Sequence, residues 1–533
     1  MSATAPPTAP AEAGRGIRHG AVLAVTCLAL ATVVSAMASL NVALPDIARE
    51  THASQTQLSW IIDAYSLVFA SLLLPAGALG DRFGRRRALL AGLAVFGTGS
   101  LLATLTATPN ALIALRALLG VGAALVMPAT LSTITSTFPR AERARAVGVW
   151  AAVAGASAVV GLLTSGLVLE LGSWRAVFLL NVVLAAGAVI GTLVFVPESA
   201  EPGAASRDTV GAVLAVAGLG VLVYSVIEAP TRGWGSPVTL GGILLGLLVL
   251  AGFVRWELTR RHPLLDPRLF ANPRFAAGSL SISLQFFAFF GFVFVMMQYL
   301  QLVRGDSALA AAVGVLPMAA AMAPSARLSP RLTARLGVRR PWVAGLLVAA
   351  AGLTVLAQLD RATPYGLVAT GLVLLGAGMG LAMTPATTEI TDALPPALQS
   401  VGSAMNDLAR ELGGALGIAV LGSVLSAAYR SHLPLPGMPP QAAEAARSSL
   451  AAATAIGGPV VARAQSAFAA GLHAALLGAA GVAVAAAVAV ALLLRRADAT
   501  APAAEHGEDV LPGTGAGQDA EPALTVITGG ASR

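Results

Sequence analysis

The chain has no lysine: all 33 of its basic residues are arginine. It has one cysteine in 533 residues, and only 11% of its residues are charged against 56% hydrophobic. Each shortage closes off a class of protein. Without lysine there is no Walker-type G-x-x-x-x-G-K-[ST] loop, so this chain does not itself use ATP. A single thiol, Cys27, makes neither an intramolecular disulfide nor a cysteine-based metal site. A soluble globular protein carries roughly 25% charged residues, which excludes an ordinary soluble enzyme. Acid is short as well, 26 Asp and Glu against 33 Arg, for a net charge of +7. Those arginines gather in alternate loops, so the basicity reads as membrane topology and not as a nucleic-acid footprint.

What fills the chain instead is a series of apolar runs of about 20 residues from Ala21 to Leu494, each long enough to cross a hydrocarbon core. The runs predict an all-α membrane protein of 14 spans, near 21–43, 58–79, 88–107, 110–133, 144–169, 174–196, 209–228, 237–256, 275–302, 309–329, 341–359, 364–388, 400–428 and 467–494. Arg82, Arg85, Arg86 and Arg87, then Arg140, Arg143 and Arg145, then Arg255 to Arg274, then Arg331, Arg335, Arg339 and Arg340 fall in alternate loops, with mostly single arginines opposite. The positive-inside rule makes the first set cytoplasmic, with both termini on the same side. Arg15, Arg18 and His19 precede the first run, which reads as an uncleaved signal anchor. The tails 1–20 and 496–533 read as disordered and cytoplasmic.

An internal repeat sets the architecture. Leu118-Leu119-Gly120-Val121-Gly122 through Met127-Pro128-Ala129-Thr130 returns as Leu374-Leu375-Gly376-Ala377-Gly378 through Met383-Thr384-Pro385-Ala386-Thr387. Arg82-Phe83-Gly84-Arg85-Arg86-Arg87 has a fainter echo in Arg335-Leu336-Gly337-Val338-Arg339-Arg340. The offsets, 256 and 253 residues, are nearly constant. Two six-helix bundles, 21–197 and 275–495, therefore flank two central helices within 198–274. Repeated bundles around a midplane cavity are the build of a secondary transporter working by alternating access.

The strongest local signal is Gly77-Ala78-Leu79-Gly80-Asp81-Arg82-Phe83-Gly84-Arg85-Arg86-Arg87, a tight turn between spans two and three. Glycines permit the reversal, and Asp81 can pair with the arginines or with a helix N-terminus. A positive-inside anchor alone would account for the arginines but not for the acid or the glycine spacing. Here the sequence resembles the major facilitator superfamily, whose G-x-L-x-D-R-x-G-R-R-R loop it matches almost residue for residue; the resemblance implies that Gly77, Asp81, Arg82, Gly84, Arg85 and Arg86 form a cytoplasmic gate. Trp60-Ile61-Ile62-Asp63-Ala64-Tyr65, Asn41-Val42-Ala43-Leu44-Pro45, His262-Pro263-Leu264-Leu265-Asp266-Pro267-Arg268-Leu269-Phe270, and Ser173-Trp174-Arg175 followed by Phe178-Leu179-Leu180-Asn181 narrow it. These resemble the fourteen-helix drug:proton antiporters, including the quaternary-ammonium, antiseptic and antibiotic exporters.

Four groups of intramembrane residues are candidates for chemistry. Arg116 in span four costs at least ~2.5 kcal/mol unless paired, hydrated or snorkelling outward; the resemblance implies a part in proton coupling. Asp63 stands about five residues into span two, where it is either a hydrated interfacial carboxylate or a group that meets a proton or a cation; the resemblance implies recognition of cationic substrates. Asp407, Arg410 and Glu411, at i, i+3 and i+4, share one helical face. One arginine between two carboxylates either makes a structural ion-pair face or leaves one acid to carry a proton. Phe286 and Phe290, among six phenylalanines of span nine, line a drug site or merely pack or face lipid. His473 reads as a packing histidine. Two places depart from the family: Ala36, where an Asp is usual, and Leu162, where the antiporter motif G-P-x-x-G-G has proline.

These residues predict an inner or plasma membrane exporter of hydrophobic, cationic drug-like molecules driven by proton entry, multidrug in range, with the bilayer as its only other partner. A dedicated exporter of one endogenous metabolite or antibiotic is the alternative within transport. A non-transporting sensor or a membrane enzyme is the alternative outside it. No cofactor, metal site, catalytic constellation, nucleic-acid partner or ATP site is expected.

Overall fold

The computed structural model describes residues 19–200, 208–260, 263–394 and 399–500. Most of both expected tails, part of the polar stretch after Glu198, and Arg261 and His262 lie outside the described residues. Within them the chain is helical throughout, and 14 stretches are long and apolar enough to cross a membrane. The first bundle is α1 (His19–Thr51), α2 (Gln55–Phe83), α3 (Arg85–Leu105), α4 (Pro109–Thr137), α5 (Arg140–Leu171) and α6 (Arg175–Phe195). The inserted pair is α7 (Thr209–Arg232) and α8 (Pro237–Thr259). The second bundle holds α9 (Pro273–Gln298), α10 (Ala308–Gly314), α11 (Leu316–Leu336), α12 (Arg339–Leu356), α13 (Tyr365–Asp392) and α14 (Gln399–Ser431), then short α15 (Pro440–Ser448) and α16 (Leu450–Ile456), and finally α17 (Pro459–Thr500).

Local chemistry explains where these helices start. Ser54 caps α2 in a reciprocal box with Gln57, which satisfies two orphan donors at once. Thr108-Pro109, Ser236-Pro237 and Asn272-Pro273 each put a capping side chain ahead of a proline whose missing N–H costs nothing there. The tenth span differs from its expected single run: it breaks at Val315 into α10 and α11, with Pro317 just inside the second piece. Proline there cannot donate to the preceding turn, so the helix restarts. The last helix overshoots its apolar run and carries Arg495 and Arg496 within it.

The repeat seen in the sequence is a repeat of contacts. A Cβ on Gly120 would come within 2.6 Å of the Tyr65 carbonyl, and one on Gly376 within 2.0 Å of the Met318 carbonyl. A Cβ on Gly122 would come within 2.8 Å of the Gly92 carbonyl, and one on Gly378 within 2.5 Å of that of Gly345. All four pairings keep the 253- or 256-residue offset. Between membrane helices there is little hydrophobic drive, so such close backbone approach supplies the packing attraction.

The loops between α2 and α3 and between α11 and α12 mark one end of the molecule, here the Arg-rich end. The bundles meet at the opposite end: Gln301 donates to the Val42 carbonyl at 2.8 Å, and the Leu309 amide to Glu170 at 3.4 Å. Gly166 of α5 packs there against the backbone of Leu309. The inserted pair leans on both bundles, through Ser423 donating to the Val226 carbonyl at 2.7 Å and Trp60 donating to Glu228 at 3.4 Å.

Candidate functional site

The Arg-rich turn is built around Gly84, which ends α2 and starts α3 with φ +115°. That backbone is open to glycine and strained for any other residue. The reversal brings Asp81, in the last turn of α2, to Arg85, whose Nε donates to it at 2.9 Å. Arg85 is itself almost wholly buried. A residue that the sequence reading missed completes the turn: Glu198, just beyond α6. Its carboxylate accepts from the Arg86 amide at 3.2 Å and pairs with Arg87 at 3.5 Å. The Arg85 amide donates to the Ser199 carbonyl at 2.9 Å and the Arg86 guanidinium to that of Leu193 at 2.7 Å. Glu198 thus sits at the N-terminus of α3, where a negative charge is favoured. The signal for it was an acid at the Arg-rich end in a polar stretch with no other assignment. Arg82 is exposed and stacks on Phe83 at 5.4 Å. Gly77 is not part of the turn; it faces Pro128 of α4.

Asp63 lies deeper than expected. Helix α2 begins at Gln55, so Asp63 is eight residues in, about 12 Å at 1.5 Å per residue. It is 0% exposed, which replaces the interfacial reading, and neither carboxylate oxygen has a hydrogen-bond partner among the described residues. Arg116 is 1% exposed, so it does not snorkel. Its Nε donates to the Ile61 carbonyl at 2.9 Å and its guanidinium lies 4.3 Å from the centre of the Tyr65 ring.

The arginine therefore takes a carbonyl and a ring of α2 and not the acid between them. Helical phase explains this. Ile61 and Tyr65 are four residues apart and share a face, whereas Asp63 is two residues from each, roughly 200° round the helix. Tyr65 in turn donates to the Val33 carbonyl of α1 at 3.2 Å.

The second bundle gathers its own charges. Glu411 is 8% exposed and its Oε2 has no hydrogen-bond partner among the described residues; Asp407 and Arg410 beside it are half-buried. Arg410 does not neutralise them by direct contact. Its guanidinium lies 5.2 Å from the Phe286 ring and its Nε has no partner. Phe286, Phe289 and Phe290 form a cluster with ring centres 5.2 to 6.0 Å apart. None of the six phenylalanines is exposed, and Phe292 and Phe294 are fully buried. Phe286, Phe287, Phe289 and Phe290 are half-buried.

The two departures from the family pattern fall on one seam. Ala36 is buried in α1, Gly161 of α5 packs against the Ser35 backbone beside it, and Leu162 follows. Ser165 donates across the same seam to the Ser39 carbonyl at 2.7 Å. His473 has the packing environment expected of it, with Nε2 3.2 Å from the Leu359 carbonyl.

Comparison with known proteins agrees with this fold. Residues 26–418 match the family model of the Major Facilitator Superfamily. The multidrug resistance protein Stp of Mycobacterium tuberculosis is 36% identical over 389 residues, 73% of this chain and 72% of that one. The tetracenomycin C resistance and export protein of Streptomyces glaucescens is 34% identical over 420 residues, 78% of each. The methyl viologen resistance protein SmvA of Salmonella typhimurium is 36% identical over 412 residues, 77% of this chain and 83% of that one. Among solved structures, an inward-facing bacterial homologue of the human lysosomal transporter Spinster superposes with a TM-score of 0.64 at 19% identity, covering 90% of this chain and 98% of that one. With a matched model over most of its length and relatives at this identity, the chain belongs to the Major Facilitator Superfamily.

Proposed function

We propose that this protein is a secondary active exporter that moves hydrophobic, cationic small molecules out of the cell in exchange for protons. Its two bundles alternate access, and Asp63 is the observation that carries the reading. A carboxylate that is fully buried and has no hydrogen-bond partner among the described residues is costly to hold as an ion. A proton relieves that cost, and so does a substrate cation. The two compete for one group, which is the minimum an antiporter needs. Arg116, Asp407 and Glu411 serve the proton path with it. Phe286 and Phe290, next to Arg410, provide the aromatic wall for substrate. Asp81, Arg82, Gly84, Arg85 and Arg86 work the gate at the Arg-rich end, and Gly77 serves it from outside the turn, where α2 meets Pro128 of α4.

Support comes from three directions. Relatives over most of the chain are named for multidrug and methyl viologen resistance, and methyl viologen is an organic dication. The positive-inside rule supports a reading with the Arg-rich end and both termini in the cytoplasm and the chain in the inner or plasma membrane. The organisation is a bundle over 21–197, an inserted unit over 198–274 and a bundle over 275–495. The reading makes the chain a transporter and not an enzyme, with protons and not ATP as its energy source. A second reading, export of one endogenous product, is favoured by the relative named for tetracenomycin C alone.

Inverted membrane vesicles test both readings. A proton gradient should drive cationic dye into them, and an uncoupler should stop it. Asp63→Asn should damage transport of cations more than of neutral drugs, while Asp407→Asn should impair both. Transport that survives the uncoupler at full rate would falsify antiport. Uptake restricted to a single compound among many would favour the dedicated exporter.

A further inference from the structure

The inserted pair carries a cavity that the repeat does not account for. Tyr224, Glu228 and Arg232 follow one another at four-residue steps on one face of α7. With Thr239 and Gly242 of α8 they line a cavity of about 190 Å3, room for about six waters at liquid density or for one small organic molecule. It lies at the end of the molecule away from the Arg-rich loops, where α7 finishes.

The walls show what chemistry the cavity suits. The Arg232 guanidinium lies 5.0 Å from the centre of the Tyr224 ring and donates to its hydroxyl at 2.5 Å. Arg232 Nε is 3.7 Å from Glu228 Oε2, too long for a hydrogen bond. Glu228 Oε1 accepts from Trp60 Nε1 of α2 at 3.4 Å, and the Trp60 ring stands 5.9 Å from that of Tyr224. An aromatic face beside a carboxylate is how proteins hold organic cations. Arg232 fills that role from within the chain. It fills it loosely, with its side chain 38% exposed and no close bond to the acid.

We infer that this cavity is a second cation-binding site, distinct from Asp63, which takes a small organic monocation and in which Arg232 is the tethered cation that the ligand displaces. The inference rests on the exporter reading for its ligand class. A ligand seated over Tyr224 and against Glu228 would compete with Arg232 for both. It would also reach the Trp60 contact, three residues before Asp63 on the same helix, so occupancy at the inserted pair is felt by the helix that carries the buried acid.

Equilibrium binding of benzyltrimethylammonium to the purified full-length chain tests this, in an Asp63→Asn background so that the deep acid does not contribute. Arg232→Gln should tighten binding about threefold to tenfold, because the internal competitor is gone, and Glu228→Gln should weaken it about tenfold. Neopentylbenzene, the uncharged isostere, should bind alike to all three proteins. Tyr224→Leu, which keeps the charges and removes the ring, should weaken the cation alone and covers the case of an unfolded Glu228 variant. Arg232→Gln binding the cation no better than its parent, with an unchanged melting temperature, would overturn the site. That result together with uncoupler-sensitive transport by the unaltered chain would fault this inference and leave the exporter standing. The expected binding pattern without any gradient-driven transport would do the reverse.

Discussion

Gly84 and Gly337 occupy equivalent turns of the two halves, and both hold positive φ, +115° and +77°. Around them the halves differ. At the first turn Asp81 bonds Arg85, and Glu198 closes on Arg86 and Arg87. At the second, the position equivalent to Asp81 is Ala334, and a Cβ on Gly337 would meet nothing within 4 Å. The same contrast runs through the membrane. Arg116 in α4 corresponds to Leu372 in α13, both buried, whereas Asp407, Arg410 and Glu411 of α14 correspond to an uncharged stretch of α5. Glycine spacing and turn geometry are what the halves share, since they set how closely helices approach. The acids of the turn and the buried charges are not repeated between the halves, so packing constrains both halves alike and these charges do not.

The largest expected effect separates the two turns by charge alone. Asp81→Asn should abolish transport while leaving the protein in the membrane at near-normal level. The Asp81 carboxylate is 37% exposed and asparagine keeps an acceptor for Arg85, so losing the charge should cost on the order of 1 kcal/mol of stability or less and leave the protein folded. Ala334→Asp, which writes the first turn's acid into the second, should leave transport unchanged. Vesicle uptake and membrane abundance measured side by side decide it. Full activity in Asp81→Asn would reduce the first turn to an anchor and erase the contrast.

A smaller effect compares the glycines. Gly337→Ala meets backbone strain alone, on the order of 1–3 kcal/mol at φ +77°, ψ 162°. Gly84→Ala meets strain of the same order or greater and a collision as well, since its Cβ would lie 2.5 Å from a Glu198 carboxylate oxygen. Its melting temperature should fall further than that of Gly337→Ala. Glu198→Ala in the Gly84→Ala background should recover part of the difference by removing the obstacle. Equal losses in the two single variants would mean that Glu198 yields freely and clamps nothing.

How much of this was legible beforehand follows from the kind of information involved. Fourteen spans, the repeat and the Arg-rich turn are matters of length, period and composition, and each is written along the chain. The partners of Arg116 are not. They depend on helical phase across two helices, which puts Ile61 and Tyr65 on the side of α2 that meets α4 and turns Asp63 away. Glu198 was equally hidden, because more than 100 residues separate it from the amide it accepts from. The break at Val315 was marked by Pro317, but an apolar run reads through a proline. The short α15 and α16 fall where hydropathy shows only a loop.

The smallest effect tests what holds Arg116 in the half that keeps it. The guanidinium sits 4.3 Å from the Tyr65 ring, and the Tyr65 hydroxyl donates to Val33. The second half has Met318 at the place of Tyr65 and Leu372 at that of Arg116, so ring and cation are present or absent together. Tyr65→Phe keeps the ring and loses one hydrogen bond, at a cost of about 1 kcal/mol. Transport should stay close to normal. Tyr65→Leu also removes the cation–π contact, worth up to about 2 kcal/mol when desolvated, and leaves the arginine with the Ile61 carbonyl as its one hydrogen-bonded partner on α2. It should unfold at a lower temperature than Tyr65→Phe and lose most transport. If the Phe and Leu variants behave alike in both measurements, the ring does not hold the arginine, and the hydroxyl between α1 and α2 is what matters.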